Sequence, residues 1–347
     1  MHVREIVVHV APDLDGLVGA WLLRRFGESR FPGASKAPVR FLAGGQVDGP
    51  ALEAEGVLAV DVGGGRFDHH FDSTSEATSA PGLCASELVA AELQLAEVKS
   101  LTKILGLARR RDIEGVGVKS PDPLDQAGHL VSLIDGWNGL YPDDPDRVLE
   151  LGWASLDAIY ENERAWHDAL DEVDRDRPLR FASTGVLVDW FESDNKRLMK
   201  ASRYRRRDAC VVRSTRGNTG VNVAFNSPRV QVEDVLSATA YLRLFECRAT
   251  GEAPRPERLR EVGNHHGWYL HSSHRLVMAG SDKEPTAPRS VLPTELVAEL
   301  VGVSLHPTHT FPGSVCPVEH CAGASCFLFA HDLPHCSGPK ARGIRNQ

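Results

Sequence analysis

The chain has 347 residues, of which 42% are hydrophobic and 25% charged, with a formal net charge of −8. That profile belongs to an ordinary folded protein long enough for two cores, and it excludes a disordered or low-complexity chain. The acidic balance also argues against a protein that coats long duplex DNA through a general basic field, although a local basic groove is compatible with it.

The opening stretch MHVREIVVHVAPDLDG is a poor signal peptide, because its apolar run is short and acidic residues interrupt it at once. No window approaches the roughly 18 apolar residues of a membrane span. A cytoplasmic protein without membrane contact is therefore expected. In that compartment thiols stay reduced, so seven cysteines are not read as a disulfide set. Cys84, Cys210 and Cys247 are scattered and read as small buried hydrophobes.

In chain order, residues 4–10 form a β-branched apolar run with the pattern of a buried strand. After a turn at Ala11-Pro12-Asp13, residues 16–26 carry apolar side chains at helical spacing and end in Arg24 and Arg25, which suit a helix C-terminus. Further strands are expected at 39–43 and 57–62, the latter stopping at Gly63-Gly64-Gly65, and helices at 83–96 and 98–111. Such alternation predicts an α/β fold whose N-terminal sheet is mostly parallel and flanked by helices. From 143 to 176 the chain is acidic and helical, with Leu149, Trp153, Leu156 and Ile159 on one face, until Pro178 breaks the pattern. Beyond it, strands are expected at 179–188, 209–213, 220–225 and 268–279, and helices at 232–249 and 294–301, giving a smaller α+β C-terminal domain.

Three small motifs fall at strand ends, where α/β folds keep their chemistry. They are His9-Val-Ala-Pro-Asp13-Leu-Asp15, the lone Asp61, and Asp68-His69-His70. Taken singly, an Asp before a helix is most often an N-cap and a loop His pair is most often surface. Together they make a mixed nitrogen and oxygen donor set that suits Mn²⁺ or a similar divalent ion. The set also suits a pair of ions, because one carboxylate can bridge two metals and such a pair can assist attack at phosphorus.

These motifs resemble the signature of the DHH phosphoesterase superfamily, which includes RecJ-type exonucleases, oligoribonucleases, cyclic-dinucleotide phosphodiesterases and manganese-dependent pyrophosphatases. The close spacing in VDVGGGRFDHHF is most similar to the MYG1-like branch. The resemblance covers residues 1–140 well and the remainder loosely. It implies that His9 and Asp13 bind a first ion and Asp15 a second, that Asp61 bridges them, and that His69 completes the second site. It places His70 beside the scissile phosphate and gives Asp68 the task of orienting the histidines. One more downstream Asp is implied, with Asp112 in RRRDIEG preferred over Asp135 in LIDGWNG. For either, the bland reading is a turn Asp next to glycine.

The resemblance further implies a C-terminal domain that grips substrate. On that basis the chain divides into a metal-binding catalytic domain at 1–145, a helical connector at 146–180, a substrate-binding domain at 181–303, and a Cys/His-rich tail at 304–347. The Gly-Gly-Gly-His motif of RecJ-like members is absent, which leaves the substrate class open. Loose similarity across 268–281 makes His271, Arg275 and Ser281 candidate phosphate contacts. The cluster Arg203-Tyr-Arg-Arg-Arg207 reads either as a phosphate-tracking edge, with Arg203 and Arg205 as contacts, or as a solvated helix end. In the tail, Cys316, Cys321, Cys326 and Cys336 stand among five histidines. Their spacing is not that of paired Cys-x₂-Cys ligands, so a structural Zn²⁺, an iron–sulfur cluster and a loop of buried thiols are all compatible with it. The expected activity is two-metal hydrolysis of phosphodiester bonds in short single-stranded nucleic acid or a small nucleotide. A pyrophosphate-type anhydride hydrolase and a non-catalytic nucleotide sensor are the alternatives.

Overall fold

The computed structural model describes residues 1–43, 45, 47–70, 82–115, 119–175, 178–181, 185–215, 220–280, 286–287 and 289–305. The chain divides into two compact units between residues 167 and 168. Ser281 and the four tail cysteines lie outside the described residues, and with them the Zn²⁺ and iron–sulfur expectations for the tail.

In the first unit β1 (Glu5–His9) is followed by α1 (Leu14–Phe26), β2 (Val39–Leu42), α2 (Gly49–Ala54) and β3 (Val57–Ala59). The three strands form a parallel sheet in the order β2-β1-β3, with Ile6 beside both Val39 and Leu58. Ile6, Val7 and Val8 are all fully buried, as befits a central parallel strand covered on both faces. Helix α1 lies unusually close to the strand ends. A Cβ on Gly16 would fall 2.8 Å from Val8 Cγ1, and one on Gly19 would fall 2.5 Å from Val60 Cγ1. Gly19→Val is therefore expected to cost about 2–3 kcal/mol by overpacking, read as a lower urea midpoint at unchanged slope.

Helices α3 (Ala85–Glu92), α4 (Thr102–Asp112), α5 (Pro123–Ala127), α6 (Leu130–Leu140) and α7 (Pro145–Arg175) follow. The acidic run expected to be helical is α7, and several of its acidic residues have partners. Arg25 meets Asp157 at 2.6 Å and Glu161 at 2.8 Å, with its guanidinium 4.8 Å from the Tyr160 ring centre. Trp153 Nε1 donates to the Leu17 carbonyl at 3.1 Å, so the N-terminal part of α7 is pinned to α1.

The second unit holds β4 (Leu179–Phe181), β5 (Val186–Glu192), α8 (Leu198–Tyr204), β6 (Ala209–Arg213), β7 (Val221–Phe225), α9 (Val232–Thr250), β8 (Gly263–His265), β9 (Trp268–Leu270), β10 (Leu276–Ala279) and α10 (Thr294–Ser304). The strands form one sheet in the order β4-β5-β6-β7-β10-β9-β8, antiparallel except for the β5–β6 pair. Almost all of α9 from Val235 to Cys247 is buried, including Arg243 and Glu246. The runs 179–188 and 268–279 each read as one strand in sequence, and each is two. Gly185, at φ +67°, stands between β4 and β5, while His274, at φ +50°, lies in the turn between β9 and β10. Apolar periodicity does not register such left-handed turn residues.

Candidate metal centre

Three segments of the first unit converge. β1 ends at His9, whose Nδ1 lies 2.8 Å from the Val10 carbonyl. If Nδ1 carries the proton donated to that carbonyl, Nε2 is left toward the cluster. Ala11 adopts φ +52°, an uncommon conformation for a residue with a Cβ, and turns the chain so that Asp13 caps α1. Asp13 Oδ1 accepts from the amides of Asp15 at 3.0 Å and Gly16 at 3.1 Å. The N-cap reading of Asp13 thus holds alongside its place in the cluster, because a carboxylate has lone pairs to spare.

Asp61 follows β3 and also stands in the left-handed region, at φ +58°. Beyond it the chain loops through Gly63 and Gly64 and returns beside itself, with the Asp61 amide donating to the Phe67 carbonyl at 2.9 Å. A Cβ on Gly63 would lie 2.4 Å from Val47 Cγ1, so the loop's path requires glycine there. Strain of this kind concentrates at functional sites.

Asp61 stands between two histidines. Its Oδ2 is 3.4 Å from His9 Nε2, and its Oδ1 is 3.5 Å from His69 Nδ1. On the far side of the second ring, His69 Nε2 is 2.8 Å from Asp112 Oδ2, at the end of α4. Asp15 Oδ2 approaches His69 Nδ1 at 3.9 Å. Both oxygens of Asp15 also accept amides from the start of α3, Ala85 at 2.6 Å and Ser86 at 2.9 Å. Two triads result, His9–Asp13–Asp61 and Asp15–His69–Asp112, each close enough to share an ion. Asp135 does not join them; it is exposed on α6 and lies 3.7 Å from Arg111.

Asp68 is tied down on both oxygens. Oδ2 accepts the Gly64 amide at 2.7 Å, while Oδ1 accepts the His70 amide at 3.0 Å and lies 2.9 Å from His70 Nδ1. His70 is held by this carboxylate while its side chain remains 63% exposed. His9, Asp13, Asp61, Val62, Gly63, Asp68 and His70 line a cleft of about 480 Å³.

The electrostatics are those of a site made for cations. Burial disfavours charge on His9, but contacts with Asp13 and Asp61 outweigh it and lift the imidazole to about 10. Contact with Asp112 lifts His69 to about 9 despite burial. Burial pushes Asp61 up to about 7, with the charges of Asp13 and Asp15 adding to the effect against the pull of His9. Asp15 is also raised, chiefly by burial, with the charge of Asp112 contributing. Without added cations, carboxylates this crowded retain protons.

The donor set passes a test for divalent ions. Asp61 Oδ1 and His69 Nδ1 are buried and lack a hydrogen-bond partner, whereas Asp112 Oδ2 is engaged by His69 Nε2. Buried polar atoms rarely go unpaired, and these two, 3.5 Å apart in one carboxylate–imidazole cluster, are the kind of ligand atoms a divalent cation requires. The Cys247–Glu252–His266 group of the second unit fails the same test. His266 Nε2 accepts the Arg255 amide at 3.1 Å, which leaves the proton on Nδ1, 2.8 Å from Glu252.

The second-unit candidates have local partners. Arg203 Nε reaches Asn226 Oδ1 at 3.3 Å, and Arg205 Nε donates to Asp174 at 2.7 Å. His271 Nδ1 accepts the Ser273 amide at 3.0 Å. Arg275 donates to the carbonyls of Ser227 and Val230 at 3.3 and 3.1 Å. No helix among the described residues is long and apolar enough to cross a membrane.

No family model matches the chain. No curated protein matches it either. Among solved structures, it is similar to the pGpG-specific phosphodiesterase PggH from Vibrio cholerae, at 9% identity over 86% of this chain and 99% of that one, with a TM-score of 0.23. It is also similar to RecJ in complex with Mg²⁺ from Thermus thermophilus, at 13% identity over 87% of this chain and 49% of that one, with a TM-score of 0.28. A third similar structure is the DHH domain of a member of a ribosomal protein family, at 12% identity, 87% and 86% coverage, and a TM-score of 0.26.

Proposed function

We propose that the protein is a phosphoesterase of the DHH type, dependent on two divalent cations, most suitably Mn²⁺. Its proposed substrates are short single-stranded nucleic acids or small nucleotides, hydrolysed at a phosphodiester bond. The observation that carries this reading is the placement of Asp61, one oxygen toward His9 and the other toward His69. That arrangement suits a bridging ligand, with His9 and Asp13 on one ion and Asp15, His69 and Asp112 on the other. When bound, the ions would supply an activated water and neutralise charge at phosphorus.

The chain's own groups would do the rest. His70, exposed in the cleft and held through Nδ1 by Asp68, would present Nε2 to a phosphate oxygen as stabiliser or proton donor. Asp68 would act by fixing that ring rather than by touching substrate. Arg203, Arg205, His271, Arg275 and Ser281 are proposed as substrate contacts of the second unit. A structural Zn²⁺ or iron–sulfur cluster on Cys316, Cys321, Cys326 and Cys336 and a cytoplasmic location belong to the same reading.

The test is to offer Mn²⁺-loaded protein labelled oligonucleotides, a cyclic dinucleotide and pyrophosphate. Release of nucleotides from the first two supports the proposal. Phosphate released from pyrophosphate alone would move the protein to anhydride hydrolysis, and nucleotide binding without turnover would make it a sensor.

Cation binding should also release protons. At pH 7.5, His9 and His69 are protonated in the ion-free fold, and an imidazole must be neutral to bind a metal. Titration calorimetry in buffers of different ionisation enthalpy is expected to show release of about one to two protons, with apparent Mn²⁺ affinity rising from pH 7 to 9. Affinity independent of pH would contradict the placement of both histidines.

A further inference from the structure

One segment near the centre has no role in the scheme above. Helix α6 contributes no group to either triad, yet it touches both ligand-bearing segments. Asn138 Nδ2 donates to the Pro12 carbonyl at 3.0 Å, and Asp135 lies 3.7 Å from Arg111, next to Asp112. The second contact joins exposed side chains and is worth little. The first is part-buried and falls on the peptide immediately before Asp13.

That peptide lies in the turn that joins β1 to α1. Ala11 is held at φ +52°, and the Pro12 carbonyl follows directly. Proline has no amide hydrogen, so the peptide joining Ala11 to Pro12 offers the turn no donor. Asp13 is held from the helix side by the Asp15 and Gly16 amides. The fixed orientation of the peptide entering it comes from Asn138. Since Asp13 Oδ1 is 3.6 Å from His9 Nε2, a rotation of this peptide would move one member of the triad against the other.

We propose that Asn138 is a positioning residue for the His9–Asp13–Asp61 cation site, and that the Asn138–Pro12 bond sets the geometry with which Asp13 meets its ion. It is the donor of the amide, not the bulk of the side chain, that matters. The Asp15–His69–Asp112 triad does not depend on this bond. This inference rests on the two-cation reading.

The experiment is Mn²⁺ binding to the full chain by calorimetry, with bound and free ion counted by electron paramagnetic resonance. Wild type, Asn138→Asp and Asn138→Gln are compared. Asn138→Asp keeps the shape but loses the donor, whereas Asn138→Gln keeps a donor on a longer arm. Loss of a group that orients a metal ligand typically weakens metal binding about 10–100-fold. One of two Mn²⁺ sites in Asn138→Asp is expected to weaken by about 10-fold or more, with the other unchanged and with partial recovery in Asn138→Gln. Two sites of wild-type affinity in folded Asn138→Asp would overturn the inference while leaving the two-cation reading intact. Equal weakening of both sites, or a lower melting temperature with affinities unchanged, would make Asn138 merely structural. Should Asn138→Asp not fold, Asn138→Leu, which also removes the donor at similar size, is read in the same way. A wild-type protein that binds no Mn²⁺ would overturn both readings together.

Discussion

Replacing Asp61 by asparagine is expected to lower kcat/KM for any hydrolysed phosphoester by more than about 100-fold and to reduce bound Mn²⁺ below two per chain. Changes in residues that merely orient a ligand already cost about 10–100-fold, and Asp61 stands between both triads. Full activity in Asp61→Asn would sink the cation assignment. The same variant should behave in the opposite sense toward stability. Asp61 holds its proton up to about pH 7 in the fold, against an ordinary value of 3.8, and His9 up to about 10 against 6.5. For groups raised in this way, stabilisation is complete below the ordinary value and is lost as pH climbs through the folded one. The chelated protein should therefore lose melting temperature between pH 6 and 9. Asp61→Asn should lose less, and Mn²⁺ should restore the wild type. A melting temperature that rises with pH in chelator would contradict this account.

The largest expected effect on folding belongs to Arg243. Its guanidinium is fully buried on α9 and donates to five carbonyls, those of Arg258, Leu259, Glu261, Gly263 and Trp268. Nearby, buried Glu246 accepts from Trp268 Nε1 at 3.0 Å and Ser290 Oγ at 2.6 Å. One side chain thus satisfies five carbonyls of the stretch from 258 to 268. Arg243→Met keeps much of the volume but strands those acceptors, at about 1–3 kcal/mol for each that water does not reach. A loss of about 3–5 kcal/mol is expected, as for breaking other buried charged networks. It would appear as a lower denaturation midpoint, and a change under about 1 kcal/mol would show that water replaces the guanidinium.

The first unit was largely legible because its sheet is parallel and the strands that carry the motifs, β1 and β3, are buried. Runs such as Ile6-Val7-Val8 and Val57–Ala59 announce buried strands, and motif residues follow them directly. Asp112 could be preferred over Asp135 from its place at the end of a helix, and the structure brings Asp112, not Asp135, to His69. What spacing could not reveal is long-range. The tie between Asp15 and the start of α3 joins residues 70 apart, and Asn138 lies 126 residues from Pro12. No local pattern marks either pair. The second unit was harder to read because its strands are short and its turns rest on left-handed residues such as His274. Arg243 gave no signal at all, since an arginine within a helix looks like a surface residue until its acceptors are known.

The order of the seven-stranded sheet has a consequence for how the protein behaves when concentrated. Among the described residues, its two outermost strands, β4 and β8, are only three residues long each. A short rim offers few unpaired amides and carbonyls on which another chain could template itself, and the longer strands β5, β6 and β7 are interior. Brevity at its margins thereby helps protect the sheet from edge-to-edge aggregation.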